Sequence, residues 1–130
     1  MHSHYILARD IGFYVENEFF LEQKKICDKY GVPMEIPSSE SIVGVAENIK
    51  FNIFPINGLR HPSVDNTNGW YLWAGGDISE TMNFKPYHFH HLLEICPLSL
   101  KYLALPAGWR FLCDDVYEDV WFDESILTFN

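Results

Sequence analysis

Residues 105–123 read LPAGWRFLCDDVYEDVWFD and predict a β-hairpin. Apolar and polar residues alternate on both sides of Asp114 and Asp115, which is the period-two pattern of strands with one buried face. A two-residue turn at these aspartates would place Arg110 opposite Asp119, and opposite charges on facing strands stabilise a sheet. We therefore predict turn roles for the two aspartates and structural roles for Arg110 and Asp119.

The two faces of this predicted hairpin differ in character. One is apolar apart from Glu118 and is expected to lie in the core. Its members are Trp109, Phe111, Cys113, Val116, Glu118, Val120 and Phe122. The other mixes aromatic and charged side chains and carries Arg110, Leu112, Tyr117, Asp119 and Trp121. An exposed aromatic residue beside carboxylates is typical of an anchor for a protein partner, so Trp121 is a candidate contact.

The residues before the hairpin predict a helix, short strands and further helical turns. Apolar residues at helical spacing predict a helix that opens near Asn17 and is closed by Gly31. The runs at 41–46 and 69–74 predict strands, Pro86 is expected to start a second helix, and 98–103 a short helical turn. The residues at 55–68 are rich in Gly, Pro and Asn and predict a long loop, either functional or a plain crossover.

This order of elements predicts one compact α+β domain over residues 1–130. We expect a mainly antiparallel sheet packed against two or three helices. The hydrophobic content of 48% and the aromatic content of 16% exclude general disorder. The net charge of -9 disfavours nucleic acid and anionic membranes as partners and favours basic ones, or it serves solubility alone.

Cysteine usage and apolar runs bear on localisation. Cys27, Cys96 and Cys113 are odd in number and form no CxxC pair, so buried thiols in a reducing cytoplasm are expected. The N-terminus lacks the basic and apolar regions of a secretory signal, and no apolar run approaches the roughly 18 residues of a membrane span. His2 and His4 are either native or the remnant of a tag.

Three groups of polar residues are candidate chemical sites. His88 and His91 lie three apart on the predicted helix, so both could reach one ion, but no diagnostic spacing supplies a third ligand. Solvent exposure is the simpler interpretation, and we predict no metal and no cofactor. Arg60, with His61 and Asp65, would form a small polar site, or Arg60 would simply satisfy loop carbonyls.

The carboxylates after Arg110 are a candidate for acid–base chemistry, but the sequence fixes the positions of too few of them to support a catalytic site. Pairing of Asp119 and the turn at 114–115 leave Glu118, Asp123 and Glu124 as freely placed charges, which predicts a solvated acidic edge and no catalytic residue. Trp73 is a further candidate contact, because Trp70 and Trp73 lie on opposite faces of one strand and a one-sided core cannot bury both. The predicted partner contacts are Trp73, Glu118, Trp121, Asp123 and Glu124.

Four segments together resemble a bacterial domain family, the immunity-protein family numbered thirty-three of polymorphic toxin systems, which is related to a group of unknown function. They read PINGLRHP (55–62), NGWYLWAGGD (68–77), EICPLSLKYLALPAGWRFL (94–112) and YEDVWFDESIL (117–127). The similarity spans about residues 44–127, and the preceding helix ending KYGVP also fits. The resemblance implies a cytoplasmic antidote that binds a cognate toxin and blocks it without turnover. It implies no particular binding residues.

Two other hypotheses stay open beside this one. The first is a small metal-dependent or acid–base enzyme that uses the region of His88 and His91. The second is an accessory module that self-associates through exposed aromatic residues, with a homodimer broken by Trp121→Ala. If the chain is instead the antidote that the resemblance implies, its net negative charge would suit a basic toxin, because opposite charges steer two proteins together.

Overall fold

Six strands form one sheet in the computed structural model, which describes the backbone of residues 8–79 and 82–128 and side chains from residue 19 within those ranges. The strands are β1 (Ile42–Ala46), β2 (Ile56–Arg60), β3 (Thr67–Ala74), β4 (Phe84–His88), β5 (Trp109–Cys113) and β6 (Glu118–Phe122). Their order is β4-β1-β3-β2-β5-β6, with β1 parallel to β3 and the other pairs antiparallel. The predicted α+β class with a mainly antiparallel sheet is confirmed. His2 and His4 lie outside the described residues.

Helices connect the strands and cover the sheet. The α-helices are α1 (Ala8–Tyr30) and α2 (Leu92–Ile95). The 3-10 helices of the described part are Glu47–Phe51, Phe89–His91, Pro97–Tyr102 and Glu124–Leu127. The helix α1 ends as predicted, since Gly31 adopts a positive φ of 71° and the Val32 N–H donates to the Cys27 carbonyl. It begins at Ala8, well before the predicted Asn17.

Both faces of the sheet are covered, which the sequence prediction of a one-sided core missed. The larger core lies under α1 and the 3-10 helix Pro97–Tyr102, and it takes in Trp70 and Phe111. A smaller core on the opposite face is formed by Ala46, Leu59, Trp73 and Ile126. Trp70 and Trp73 are each 1% exposed, because alternate residues of β3 enter different cores.

The predicted loop at 55–68 is wrong, because it contains the central strand β2. Gly58 is needed because the Phe111 ring packs directly against its backbone, and a Cβ there would overlap that ring. It is not needed for a turn. Arg60 is 7% exposed and donates to the carbonyl oxygens of Asn68, Glu35 and Leu105 at 2.9, 2.7 and 2.8 Å. The interpretation of Arg60 as a residue that satisfies carbonyls is confirmed, although the backbone it serves is partly strand.

The helix predicted from Pro86 is also wrong, since Pro86 lies in strand β4. Proline has no N–H to donate, so it is tolerated on an edge strand, whose outer side needs no ladder bond. Pro86 pairs in register with Gly44 of β1, and β4 is at the edge of the sheet. Helical structure begins only at Phe89, as a 3-10 turn that leads into α2.

The hairpin of β5 and β6 forms with a register that differs from the predicted one. Cys113 faces Glu118 and Arg110 faces Trp121, so four residues, 114–117, connect the strands. The Asp114 carboxylate stabilises this longer turn by accepting from the N–H groups of Val116 and Tyr117 at 2.8 and 2.7 Å. A shift of two residues keeps each side chain on its predicted face. Val116 and Phe122, however, are not part of the core and are 95% and 49% exposed.

Candidate partner-binding surface

The side chain of Trp73 is excluded from any accessible partner surface. It is buried in the smaller core, and its Nε1–H donates to the Gly76 carbonyl at 2.8 Å. The sequence prediction of a Trp73 contact assumed that only one face of the sheet is covered. With both faces covered, this residue contributes to stability instead.

Glu118 is held by internal contacts and is not the freely placed charge that the sequence analysis predicted. Its carboxylate accepts from the Tyr102 hydroxyl at 2.7 Å and from Lys29 Nζ at 3.1 Å, and Lys101 Nζ lies 3.9 Å away. Burial alone would raise the pKa of Glu118, but the hydrogen bonds from Tyr102 and Lys29 and the nearby lysine charges outweigh it and hold the pKa below its usual value. The residue therefore links β6 to α1 and to the 3-10 helix Pro97–Tyr102.

This lowered pKa predicts a pH-dependent contribution of Glu118 to stability. The folded state favours the ionised carboxylate, so its stabilisation is present above the ordinary pKa of 4.5 and is lost as the pH falls through the lower folded value. We expect the difference in free energy of unfolding between wild type and Glu118→Gln to be largest near neutral pH and to shrink below pH 4.5. Urea unfolding on both sides of that pH measures it. A constant difference would contradict the assignment, and Glu124→Gln, at an exposed position, is the control.

Arg110 pairs with Asp123, and the predicted pair with Asp119 is wrong. Arg110 Nη1 lies 3.0 Å from Asp123 Oδ2, and the guanidinium carbon is 5.3 Å from the centre of the Trp121 ring. Asp119 faces Leu112 and is exposed, because of the shift in register. Hydrogen bonds from Ser125 and then Arg110 hold the pKa of Asp123 below its usual range. Asp123 is thus a structural residue that caps the 3-10 helix Glu124–Leu127.

The predicted contacts therefore do not form one accessible site. Trp121 is half-buried and Glu124 is exposed near the end of β6, whereas Glu118 lies at the start of that strand. Trp121 and Glu124 keep the accessibility that a contact requires, and their role stays a prediction.

A different surface concentrates exposed apolar side chains at one end of the sheet. Ile56, the first residue of β2, pairs with Ala74 at the end of β3 and with Cys113 at the end of β5. Cys113 in turn pairs with Glu118, the first residue of β6. These four strand ends therefore lie at the same end of the sheet. The connecting segments consequently emerge side by side over about 15 Å, the width of four adjacent strands. We call the exposed apolar residues of these segments the apolar rim: Phe51, Ile53, Phe54, Ile78, Val116 and Tyr117.

The apolar rim stands out from the rest of the surface. Its members are 40% to 95% exposed, with Ile53 at the lower limit and Val116 at the upper one, and they are six of the thirteen large apolar side chains exposed in the described residues. Single exposed apolar residues are ordinary, but their concentration at one end of the sheet makes this surface a candidate interaction site. Tyrosine and phenylalanine are also side chains that anchor interfaces.

Partly buried side-chain hydrogen bonds hold segments of the rim in place. The Asn48 side chain donates to the Ala74 carbonyl at 2.7 Å and accepts from its N–H at 3.0 Å, which joins the 3-10 helix Glu47–Phe51 to the end of β3. The Asn57 side chain donates to the carbonyls of Gly75 and Pro55 at 2.9 and 3.3 Å. The rim is therefore presented by an ordered backbone, which lowers the entropy lost on binding.

Acidic residues flank the rim. Asp77 and Asp115 are exposed beside Ile78 and Val116, and Asp114 is held ionised because the N–H groups of Val116 and Tyr117 lower its pKa. Large apolar residues next to turn-forming residues such as Asn, Pro and Asp are the sequence signal that could have identified this surface. They occur in FNIFP at 51–55 and DDVYED at 114–119.

Other polar groups bear less on partner binding. The three cysteines are buried as predicted, and burial raises the pKa of Cys113 to about 12, so its thiol is a poor nucleophile near neutral pH. An open groove of about 350 Å³ includes Arg60, Glu40 and Asp65 in its lining, but the hydrogen-bonded Nε and Nη1 groups of Arg60 serve the backbone. His88, His90 and His91 form a cluster at the end of β4. Within the described residues, no helix has the length and apolar character to cross a membrane.

One comparison with known proteins gives a match. A family model described as Imm33-like domain matches residues 22–123, which covers α1 from Glu22 onward, all six strands and the turns that carry the apolar rim. No curated protein and no solved structure matches the chain.

Proposed function

The chain belongs to the Imm33-like domain family, and from this membership we propose that it is an immunity protein, which binds a cognate toxin and neutralises it without catalytic turnover. The family match over residues 22–123 is the observation that carries the proposal. The protein would act in the cytoplasm of the bacterium that makes the toxin, where an antidote protects the cell.

We place the toxin contact at the apolar rim. Phe51, Tyr117 and Val116 supply large exposed apolar area on an ordered backbone, which is the composition of an interface centre. Asp77 and Asp115 border this centre and supply the polar periphery. An apolar patch with a basic periphery on the toxin is the complement of this surface.

The charge of the chain supports a basic toxin. With a net charge of -9, the protein attracts a basic partner over a Debye length of about 10 Å and accelerates encounter at low salt. Asp115 and Asp77 are exposed and are not needed by the fold in the way that Glu118 and Asp123 are. We therefore assign the steering role to the rim acids rather than to the β6 carboxylates.

The internal contacts of the candidate acids favour binding over catalysis. Glu118 is engaged by Tyr102 and Lys29, and Asp123 by Arg110 and Ser125, so both carboxylates stabilise the fold. Hydrogen bonds from Tyr102 and Lys29 lower the pKa of Glu118, and those from Ser125 and Arg110 lower the pKa of Asp123, whereas a general acid requires a raised pKa.

Co-expression of the chain with its cognate toxin tests this function. We expect the chain to restore growth of cells that make the toxin, and the purified chain to inhibit toxin activity in direct proportion until one chain is present per toxin. Stoichiometric inhibition follows from binding, because each chain blocks one toxin molecule. Inactivation of many toxin molecules by one chain would contradict a non-catalytic antidote, and full toxicity despite equal expression would contradict the immunity role.

A further inference from the structure

Three histidines lie together where the edge strand β4 ends, at the end of the sheet opposite the apolar rim. His88 is the last residue of β4, and His90 and His91 belong to the 3-10 helix Phe89–His91. One ligand nitrogen from each lies within 4.8 Å of those from the other two. The change from strand to 3-10 helix brings His90 into this group, which helical spacing alone would not have done.

The backbone of this group is anchored although His88 and His90 are exposed. Phe89 is 4% exposed, and its N–H donates to the Ser41 carbonyl at 2.8 Å. The His90 N–H donates to the Ser39 carbonyl at 3.2 Å, and His88 pairs with Ile42 of β1. A ligand set on a fixed backbone loses little freedom when it closes on an ion.

The ring arrangement requires only small side-chain rotations to bind an ion. The rings of His88 and His90 are stacked 5.6 Å apart, and His91 lies with its ring centre 4.2 Å from that of His90. Zinc–nitrogen bonds of about 2.0–2.1 Å in a tetrahedron place two nitrogens about 3.4 Å apart. Nitrogens within 4.8 Å must therefore approach one another by at most about 1.4 Å.

The donor type selects the metal class. Imidazole nitrogens suit Zn²⁺, Cu²⁺ and Ni²⁺, whereas Mg²⁺ and Ca²⁺ prefer oxygen ligands. Glu40 Oε2 lies 3.9 Å from His90 Nε2, where a carboxylate can orient an imidazole or lie close to a bound cation. We propose that His88, His90 and His91 form a three-imidazole site for a divalent transition-metal ion, with Zn²⁺ as the reference ion and Glu40 as the carboxylate that supports it.

Calorimetric titration of ZnCl₂ into the purified, untagged chain tests the site. The reference protein carries His2→Ala and His4→Ala, so that the terminal histidines cannot supply ligands. We expect one Zn²⁺ per chain, a tetrahedral absorption spectrum with Co²⁺, and a rise in melting temperature when Zn²⁺ is added. His88→Ala with His91→Ala should remove all three signals, and His90→Ala should weaken binding at least tenfold. Glu40→Gln should weaken it about tenfold, as expected for a supporting carboxylate.

Two results would overturn the proposal. One is the absence of heat and of a cobalt spectrum in a reference protein that is folded by circular dichroism. The other is undiminished binding by the variant that lacks His88 and His91, which would move the metal to different residues. Because these readouts need no toxin, failure of the metal site leaves the immunity proposal standing, and the converse also holds.

Discussion

A Gly69→Ala variant is expected to be far less stable than a Gly31→Ala variant. Both glycines adopt positive φ, 89° and 71°, which an alanine tolerates poorly. At Gly31 the added Cβ meets nothing within 4 Å, so the expected cost is about 1 kcal/mol from backbone conformation alone. At Gly69 the same atom overlaps the carbonyl oxygen of His61, whose N–H donates to the Gly69 carbonyl at 2.9 Å.

This clash is with backbone and cannot be relieved by rotating a side chain. Either the pairing of β2 with β3 opens or the chain around Trp70 shifts, and we expect a cost of more than about 3 kcal/mol, at the upper end of single substitutions. Urea unfolding of the two variants beside wild type measures the difference. Equal midpoints for Gly69→Ala and Gly31→Ala would contradict this close approach of His61, the residue after β2, to Gly69 of β3.

Disruption of the apolar rim is expected to weaken toxin binding by at least thirtyfold. The variant combines Phe51→Ser with Val116→Asp, at positions that are 67% and 95% exposed, so stability should change little. Loss of central interface anchors typically costs about 2 kcal/mol or more, and each 1.4 kcal/mol is tenfold in the dissociation constant. The affinity of each variant for the toxin is measured by calorimetry.

A matched control separates the rim from general changes in charge and surface. Leu21→Ser with Val64→Asp makes the same two kinds of change at positions that are 64% and 51% exposed outside the rim. We expect this control to bind the toxin within about twofold of wild type, as for surface substitutions worth under 0.5 kcal/mol. Equal losses in both double variants would remove the rim as the specific contact.

Local patterns in the sequence predict elements whose signals are local. The end of α1 at Gly31, strand β1 and the strand around Trp70 follow from spacing and turn residues alone. The faces of the hairpin were also correct, because a shift of two residues preserves the alternation of side chains. The predicted register of the hairpin was wrong, because the Asp114 carboxylate stabilises a four-residue connection that strand periodicity does not reveal.

Tertiary context explains what the sequence did not predict. Strand β2 resembles a turn because its glycine and its polar residues serve neighbours far along the chain: Gly58 admits the Phe111 ring and Arg60 binds three distant carbonyls. Pro86 is compatible with a strand only because β4 is an edge. The same holds for the candidate surface, since the apolar rim exists only once the order of strands β3, β2, β5 and β6 brings separate turns together.

The central claim is that the chain binds its toxin through the apolar rim, and titration of unlabelled toxin into the nitrogen-15-labelled chain, followed by amide NMR, tests it most directly. We predict that at one equivalent the amide signals of residues 51–54, 76–78 and 114–117 shift or broaden most, while those of residues 61–66, at the other end of the sheet, stay in place. An unchanged spectrum would contradict toxin binding itself. Changes confined to other surfaces, such as the end of β6 near Trp121 and Glu124, would place the contact elsewhere.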